Sequence, residues 1–317
     1  MSKQPNVITL TLNPAVDLAA SANAVQPTHK IRTRDEGIDA GGGGINVARV
    51  IHALGGNTLA VFLAGGVTGD LLGELLAEAG VPRRVLPIQR RTRISLTVYD
   101  RSTGQEYRFV PEGPEVSTAE WQGVLATLEQ LPGDWLVVSG SLPRGVPEDL
   151  YARIAQAGAQ RGQRVVLDTS GPALKAALYH GLYLIKPSLR ELEVLVGRSL
   201  EDPAAQEAEA LALIRSGAAH MVAVSLGAAG ALLATEAGMI RIPAPHTLVR
   251  SGVGAGDAFL AALVLTLARG ETPAKALRWG VAAGAATVSD VGTARISSET
   301  VEAQYHRLAT VATISQR

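Results

Sequence analysis

The segment Gly254-Ala255-Gly256-Asp257 holds the residues best suited to chemistry. These small residues precede an apolar stretch of helical character over 258–268. Bare backbone at a helix start turns N–H groups outward, and the helix dipole adds positive potential. Such a turn can hold a phosphoryl group during its transfer. Asp257 at the rim can accept a proton from an attacking hydroxyl. The same string also suits an ordinary helix start with a favourable acid in its first turn, so by itself it leaves both readings open.

A second cluster reads Gly41-Gly42-Gly43-Gly44-Ile45-Asn46-Val47-Ala48-Arg49. Four consecutive glycines let a ligand approach the main chain, at a large cost in conformational entropy. Asn46 can hydrogen-bond sugar hydroxyls. A flexible turn is the plain alternative. The pattern is neither a P-loop, which needs Gly-Lys-Ser/Thr, nor a dinucleotide-binding fingerprint with its spaced acid, so a dinucleotide-dependent dehydrogenase is excluded.

These turns need a scaffold. Apolar runs over 7–12, 59–63, 135–139, 164–168, 183–186, 221–225 and 231–235 predict core strands. Helical patterns fall over 45–54, 70–79, 147–161, 189–196, 204–216, 257–268, 273–290 and 298–308. Strand and helix alternate at the spacing of parallel βαβ units. Two segments break the rhythm. Residues 19–37 are polar with short apolar stretches, and 93–110 hold two alternating runs joined at Ser102-Thr103-Gly104, which predicts a hairpin by the usual turn chemistry. The expectation is one α/β domain over 1–317 with a small β lid from about 18–38 and 92–111.

Bulk composition narrows the function. With 317 residues, 47% hydrophobic and 18% charged, the chain can bury a sizeable core. Lys plus Arg and Asp plus Glu both total 29, so nothing pulls the whole molecule toward nucleic acid or an anionic membrane. The absence of Cys rules out disulfides, thiol catalysis and Cys-held metals. No run of about 18 apolar residues is present to span a bilayer. The first residues lack the pattern of a signal peptide, and the expected location is the cytoplasm.

The two glycine clusters occur together with Asp17 after the first strand and Ser139-Gly140-Ser141-Leu142-Pro143 after a mid-chain strand. This set resembles the ribokinase/PfkB family of sugar kinases over nearly the whole chain. The resemblance implies a three-layer α/β/α core with a mostly parallel sheet and a β-sheet lid that often pairs into a homodimer. The opening Thr9-Leu10-Thr11-Leu12-Asn13-Pro14-Ala15-Val16-Asp17 is similar to that of the family's phosphosugar kinases. The four-glycine form resembles the ATP-dependent 6-phosphofructokinases among them. Relatives acting on fructose 1-phosphate or tagatose 6-phosphate usually carry Lys where this chain has Gly43.

The resemblance also implies roles. Asp257 matches the general base, and the amides of Gly254, Ala255 and Gly256 match the anion hole. Asp17, Gly42, Gly43, Asn46 and Ser141 match positions around the sugar, while Lys30 and Arg93 match positions near its phosphate. Arg32 and Arg108 are weaker candidates there and read rather as structural. Toward ATP, Lys186 matches a phosphate contact, and Ser225, Gly227 and Gly230 match turns beside the nucleotide. Glu191 matches the acid that organises Mg²⁺ through water. Ser251, Val253, Thr287, Asp290 and Gly292 match a K⁺ site of some relatives. The chain departs from the family pattern at Ser188, usually Asn, and at Gly252, usually Ser or Thr. The expected reaction is phosphorylation of fructose 6-phosphate. The rivals are the other two phosphosugars and a sugar-phosphate-binding regulator without catalysis.

Overall fold

The computed structural model describes residues 6–247, 252–289 and 296–308. In its first strand, β1 (Asn6–Thr11), Ile8 and Leu10 join one apolar cluster while Val7 joins another. Successive strand residues face opposite sides, so a strand buried on both needs a layer on each.

β1 sits inside a nine-stranded sheet. Its other members are β4 (Asn57–Ala64), β5 (Arg83–Pro87), β8 (Trp135–Ser139), β9 (Arg164–Asp168), β10 (Leu184–Ile185), β11 (Met221–Ser225), β12 (Ala231–Thr235) and β13 (Gly238–Ile242). Their order is β13-β12-β11-β10-β9-β8-β1-β4-β5. All neighbours run parallel except the pairs β11–β12 and β12–β13. The chain leaves β1 for β4 on one side and reaches β8 on the other. That reversal opens a crevice at the carboxyl ends of β1 and β8, where open α/β sheets bind ligands.

Helices cover both faces. α1 (Gly43–Ala53), α8 (Ala255–Ala268), α9 (Pro273–Val288) and α10 (Ser298–Arg307) pack on one side. α3 (Thr118–Gln130), α4 (Leu150–Gln160), α5 (Gly171–Ala177), α6 (Leu189–Val196) and α7 (Pro203–Arg215) pack on the other. α8 is apolar all round, with every residue from Ala258 to Leu267 buried, which lodges it as a central helix.

A second, four-stranded sheet runs β3-β2-β6-β7, built from β2 (Ala15–Ala22), β3 (Thr33–Gly41), β6 (Arg93–Asp100) and β7 (Gln105–Phe109). It uses the two segments expected to form an accessory sheet, and it extends a few residues further at the core end. A third cluster holds it there, joining Val16 and Ala40 to Ile45, Phe62 and, from α2 (Gly66–Glu78), Leu72 and Leu76.

Four elements went unread in the sequence. β5 exposes Arg83, Arg84 and Val85 as an edge strand, and β13 closes the opposite edge, so neither is a long apolar run. α5 is seven residues with Pro at its start. α3 carried a readable signal: Ser117 and Glu120 form a capping box ahead of Trp121, Val124 and Leu128 at helical spacing.

Candidate active site

The carboxyl ends of the parallel strands converge. β1 runs out into Asn13, β8 ends at Ser139, β9 at Asp168, β10 runs into Lys186, and β11 ends at Ser225. Above them lies a cavity of about 620 Å³ whose wall includes Asp17, Asn46, Ser139, Asp168, Gly254 and Asp257.

Asp257 is the third residue of α8. Gly254 caps the helix in the left-handed region at φ 79°, a conformation that suits glycine. The first amides of a helix have no carbonyl behind them to bond. Those of Ala255, Gly256 and Asp257 therefore form the amino end of α8, beside the cavity. Asn46 Nδ2 donates to Asp257 Oδ2 at 2.8 Å. Burial and the neighbouring Asp168 push the Asp257 carboxyl up to about 7, against the pull of Asn46 and Lys186. Such a group holds or gives up its proton near neutrality, as a general base requires.

Lys186 lies beneath this turn, 6% exposed. Its Nζ meets Asp168 Oδ1 at 3.0 Å, and Ser139 Oγ donates to Asp168 Oδ2 at 3.1 Å. Burial works against the Lys186 charge, but Asp168, Asp257 and Glu191 outweigh it and hold the ammonium above its ordinary range. Burial likewise raises Asp168, with Lys186 pulling back. Lys186 is thus a fixed cation facing three carboxylates. The sequence reading passed over Asp168. Its signal was position: an acid ending an apolar strand, on the sheet edge that binds ligands.

All four glycines are explained by close approach. A Cβ on Gly41 would overlap the Asp17 carboxylate, and one on Gly43 would overlap Ser139 Oγ. Removing these side chains lets Asp17 turn into the cavity and seats α1 against β8. Burial raises the Asp17 carboxyl, while Arg108 and Arg93 oppose that rise. Register puts Asp17 opposite Ser95, and Thr97 opposite Arg108, on one face of the small sheet. Asp17, Arg93, Ser95 and Arg108 all line the cavity. Arg108, read as structural, is therefore part of the cavity wall.

Arg93 links the two sheets. Its Nη1 donates to the Pro111 carbonyl and its Nη2 to the Asn13 carbonyl, both at 2.7 Å, while Nε is buried without a partner. Asn13 in turn donates to Ser141 Oγ at 3.1 Å and to the Glu112 carbonyl at 2.8 Å. Asn13 Oδ1 and Asn46 Oδ1 are also buried without partners, two acceptors suited to donor hydroxyls. Gly42 and Ser141 line the cavity. Lys30 stands exposed between β2 and β3 and does not line the cavity within this chain.

The nucleotide-side candidates lie further along the same edge. Ser225 pairs with Ser188 through a β-bridge, next to the cap of α6. Gly227 opens a short 3-10 turn that Gly230 closes. None of Ser225, Gly227 and Gly230 lines the cavity. Glu191 does, and its Oε2 accepts from the Ser188 amide at 2.7 Å in a capping box. The Ser188 amide thereby positions the Glu191 carboxylate, while the Ser188 hydroxyl accepts from the Glu191 amide at 3.3 Å. Among the described residues no cluster of three acidic or His side chains could hold a metal by itself. Mg²⁺ prefers water and phosphate oxygens, so a single carboxylate with one oxygen free suits an indirect contact. Of the potassium candidates, Val253 lines the cavity, and the buried Thr287 gives its hydroxyl to the Ala283 carbonyl at 2.9 Å. Ser251, Asp290 and Gly292 lie outside the described residues.

A family model described as pfkB family carbohydrate kinase matches residues 10–300. The chain belongs to this family. Among its PfkB relatives, ATP-dependent 6-phosphofructokinase isozyme 2 of Mycobacterium tuberculosis is 46% identical over 94% of this chain and 88% of its own length. A 1-phosphofructokinase of Escherichia coli is 34% identical over 89% of this chain and 91% of its own. The crystal structure of phosphofructokinase-2 from Escherichia coli in complex with potassium superposes with a TM-score of 0.91 at 37% identity. It covers 95% of this chain and 98% of that one. The PfkB match accounts for the central sheet, the smaller sheet and the kinase chemistry together.

Proposed function

We propose that this carbohydrate kinase transfers the γ-phosphoryl group of ATP to the 1-hydroxyl of fructose 6-phosphate, giving fructose 1,6-bisphosphate and ADP. The observation that carries the reading is Asp257, a carboxylate poised near neutrality, bonded to Asn46 and set at the amino end of α8 beside the cavity. Asp257 takes the hydroxyl proton. The sugar oxygen attacks the γ-phosphorus, and the bond to the bridging oxygen of ADP breaks. The amides of Gly254, Ala255 and Gly256, together with Lys186, stabilise the charge spread over the transferring group.

Asp17, Asn46 and Ser141 hold sugar hydroxyls, with Gly42 and Gly43 giving the sugar close access to backbone. Arg93 and Arg108 favour the sugar's phosphate. Ser225, Gly227 and Gly230 flank the nucleotide. Bound Mg²⁺ supplies charge neutralisation on the ATP oxygens, with Glu191 orienting its water. K⁺ acts near Val253, a reading supported by a crystal structure of the related Escherichia coli phosphofructokinase-2 in complex with potassium. The four-stranded sheet serves as a lid that excludes water from the reaction. Its Ile38, Ile94 and Phe109 are exposed and share one face by register, an apolar strip for a homodimer. We place the enzyme in the cytoplasm. Among the described residues no helix is long and apolar enough to cross a membrane.

The test is a panel of fructose 6-phosphate, fructose 1-phosphate and tagatose 6-phosphate with MgATP, with and without K⁺. Fructose 6-phosphate should give the highest kcat/KM, and K⁺ should raise it. A higher value on either other sugar moves the assignment there. No ATP consumption with any of them turns the reading to a sugar-phosphate-binding regulator.

A further inference from the structure

Beside the substrate cavity lies another of about 620 Å³, and the two share Arg93 and Arg144. Its wall carries Arg90, Arg91, Arg93 and Arg144 against one carboxylate, Glu115. The whole chain balances 29 basic residues with 29 acidic ones, so this is a local concentration of one sign.

The backbone beneath these arginines is tightly held. The Ile88 amide bonds the Ala64 carbonyl at 3.0 Å, and the Gln89 amide bonds Glu120 Oε1 at 2.7 Å. Thr92 is buried, its amide on the Gly65 carbonyl at 2.9 Å and its own carbonyl accepting from Thr68 Oγ1 at 2.7 Å. A Cβ on Gly65 would overlap the carbonyls of Ile88 and Arg90. On the facing wall the Arg144 carbonyl accepts from the Val116 amide at 2.8 Å. The guanidiniums therefore rise from fixed points.

Their charges are poorly answered. Among the described residues Arg90 and Arg91 make no ion pair or side-chain hydrogen bond. Arg144 meets Glu112 only at 3.9 Å, with both side chains mostly exposed, an arrangement of little worth. Arg93 keeps a buried, unpartnered Nε. Like charges gathered round a concave surface repel, and a bound counter-anion relieves them. All four cations are Arg, whose planar fork fits phosphate oxygens in pairs.

We propose that this arginine cavity is a second anion site, separate from the substrate cavity, and that it takes a small molecule bearing a diphosphate group. Arg93 and Arg144 line both cavities, so an anion here draws on Arg93, which also serves the sugar phosphate. Occupancy should then raise the KM for that substrate. The proposal does not depend on which phosphosugar is used.

Pyrophosphate is the probe, titrated calorimetrically in Mg²⁺-free buffer into the full chain and into Arg90→Gln/Arg91→Gln. Both side chains are exposed, so the variant should fold, and matching thermal unfolding checks it. The wild type should bind one pyrophosphate more than the variant, or bind it at least about ten-fold more tightly. Without pyrophosphate, kcat and both KM values of the variant should stay within about two-fold of wild type, since no contact to the reacting groups is lost. Identical isotherms overturn the proposal. So does an unchanged isotherm with a raised sugar-phosphate KM, which would assign Arg90 and Arg91 to substrate approach alone.

Discussion

Around Asp257, charged groups answer one another. Lys186 faces Asp168, Ser139 holds the far oxygen of Asp168, and Asn46 holds Asp257. These residues come from β8, β9, α1, α8 and the end of β10, all parts of the rigid central layers. On the four-stranded sheet the pattern differs. Asp17, Ser95 and Arg108 point at the cavity from strands whose outer ends are exposed, and Arg93 spends two donors on backbone carbonyls. The difference suggests a division of labour. The core side fixes chemistry through a closed electrostatic network, while the sheet side recognises the substrate through groups that still have bonding capacity. Substitutions on the first side should strike kcat, and those on the second should strike KM.

The largest effect should come from Asp257→Asn. The amide keeps the shape and can still accept from Asn46, but it takes no proton. Turnover should fall by roughly 10³-fold or more, with sugar affinity nearly unchanged. Wild-type kcat/KM should rise with pH to a plateau above about 7, as Asp257 ionises. Stability should run the opposite way. The folded carboxyl holds its proton well above the ordinary Asp range, so ionising it costs folding energy. That cost is absent below about pH 4, grows as pH rises toward 7, and persists above. At pH 8 the variant should therefore be more stable than wild type by on the order of 4 kcal/mol, and at pH 4 about equal. Denaturant melts at the two pH values check this. A variant with near-wild-type turnover would remove Asp257 as the base.

Lys186→Ala should act on both rate and fold. It leaves Asp168 and Asp257 facing each other in a buried setting without their cation. Unpaired buried charge is costly, about 3–5 kcal/mol for a broken buried pair. ATP-dependent turnover should fall steeply, and the melting temperature should drop with it. Adding Asp168→Asn to Lys186→Ala should recover much of the stability and none of the rate. If the double variant recovered activity, Lys186 would be a structural partner of Asp168 rather than a phosphate contact.

Much of this arrangement is legible in the amino-acid sequence. Strands at 135–139, 164–168, 221–225 and 231–235 fall where apolar runs bounded by turns put them, because a strand inside a sheet covered on both faces is apolar on both. Asp257 and the glycine tract were visible because unusual backbone needs unusual residues. What stayed hidden depends on distant partners. Asp168 gains its importance from Lys186, eighteen positions along, and from Asp257 on a different helix. Gly43 reads as a free turn until Ser139 is seen in the space its side chain would need. Lys30 carried the right charge for a phosphate, but in a single chain the loop between β2 and β3 holds it in solvent.

Arg93→Lys is the smallest change and the sharpest probe of the division. Lysine keeps the charge but cannot reach the Pro111 and Asn13 carbonyls together, since its single ammonium lacks the guanidinium fork. The small sheet would lose one tie to the core, and Asn13, which positions Ser141, would lose its backbone anchor. The sugar-phosphate KM should rise by about ten-fold, the worth of one charge-assisted hydrogen bond, while kcat and the ATP KM stay within about three-fold. Because Asp257 and Lys186 make no contact with Arg93, the pH profile should not shift. A fall in kcat at unchanged KM, or a shifted profile, would mean that the small sheet sets the reacting geometry too, and the two sides of the cavity would then have to be treated as one catalytic unit.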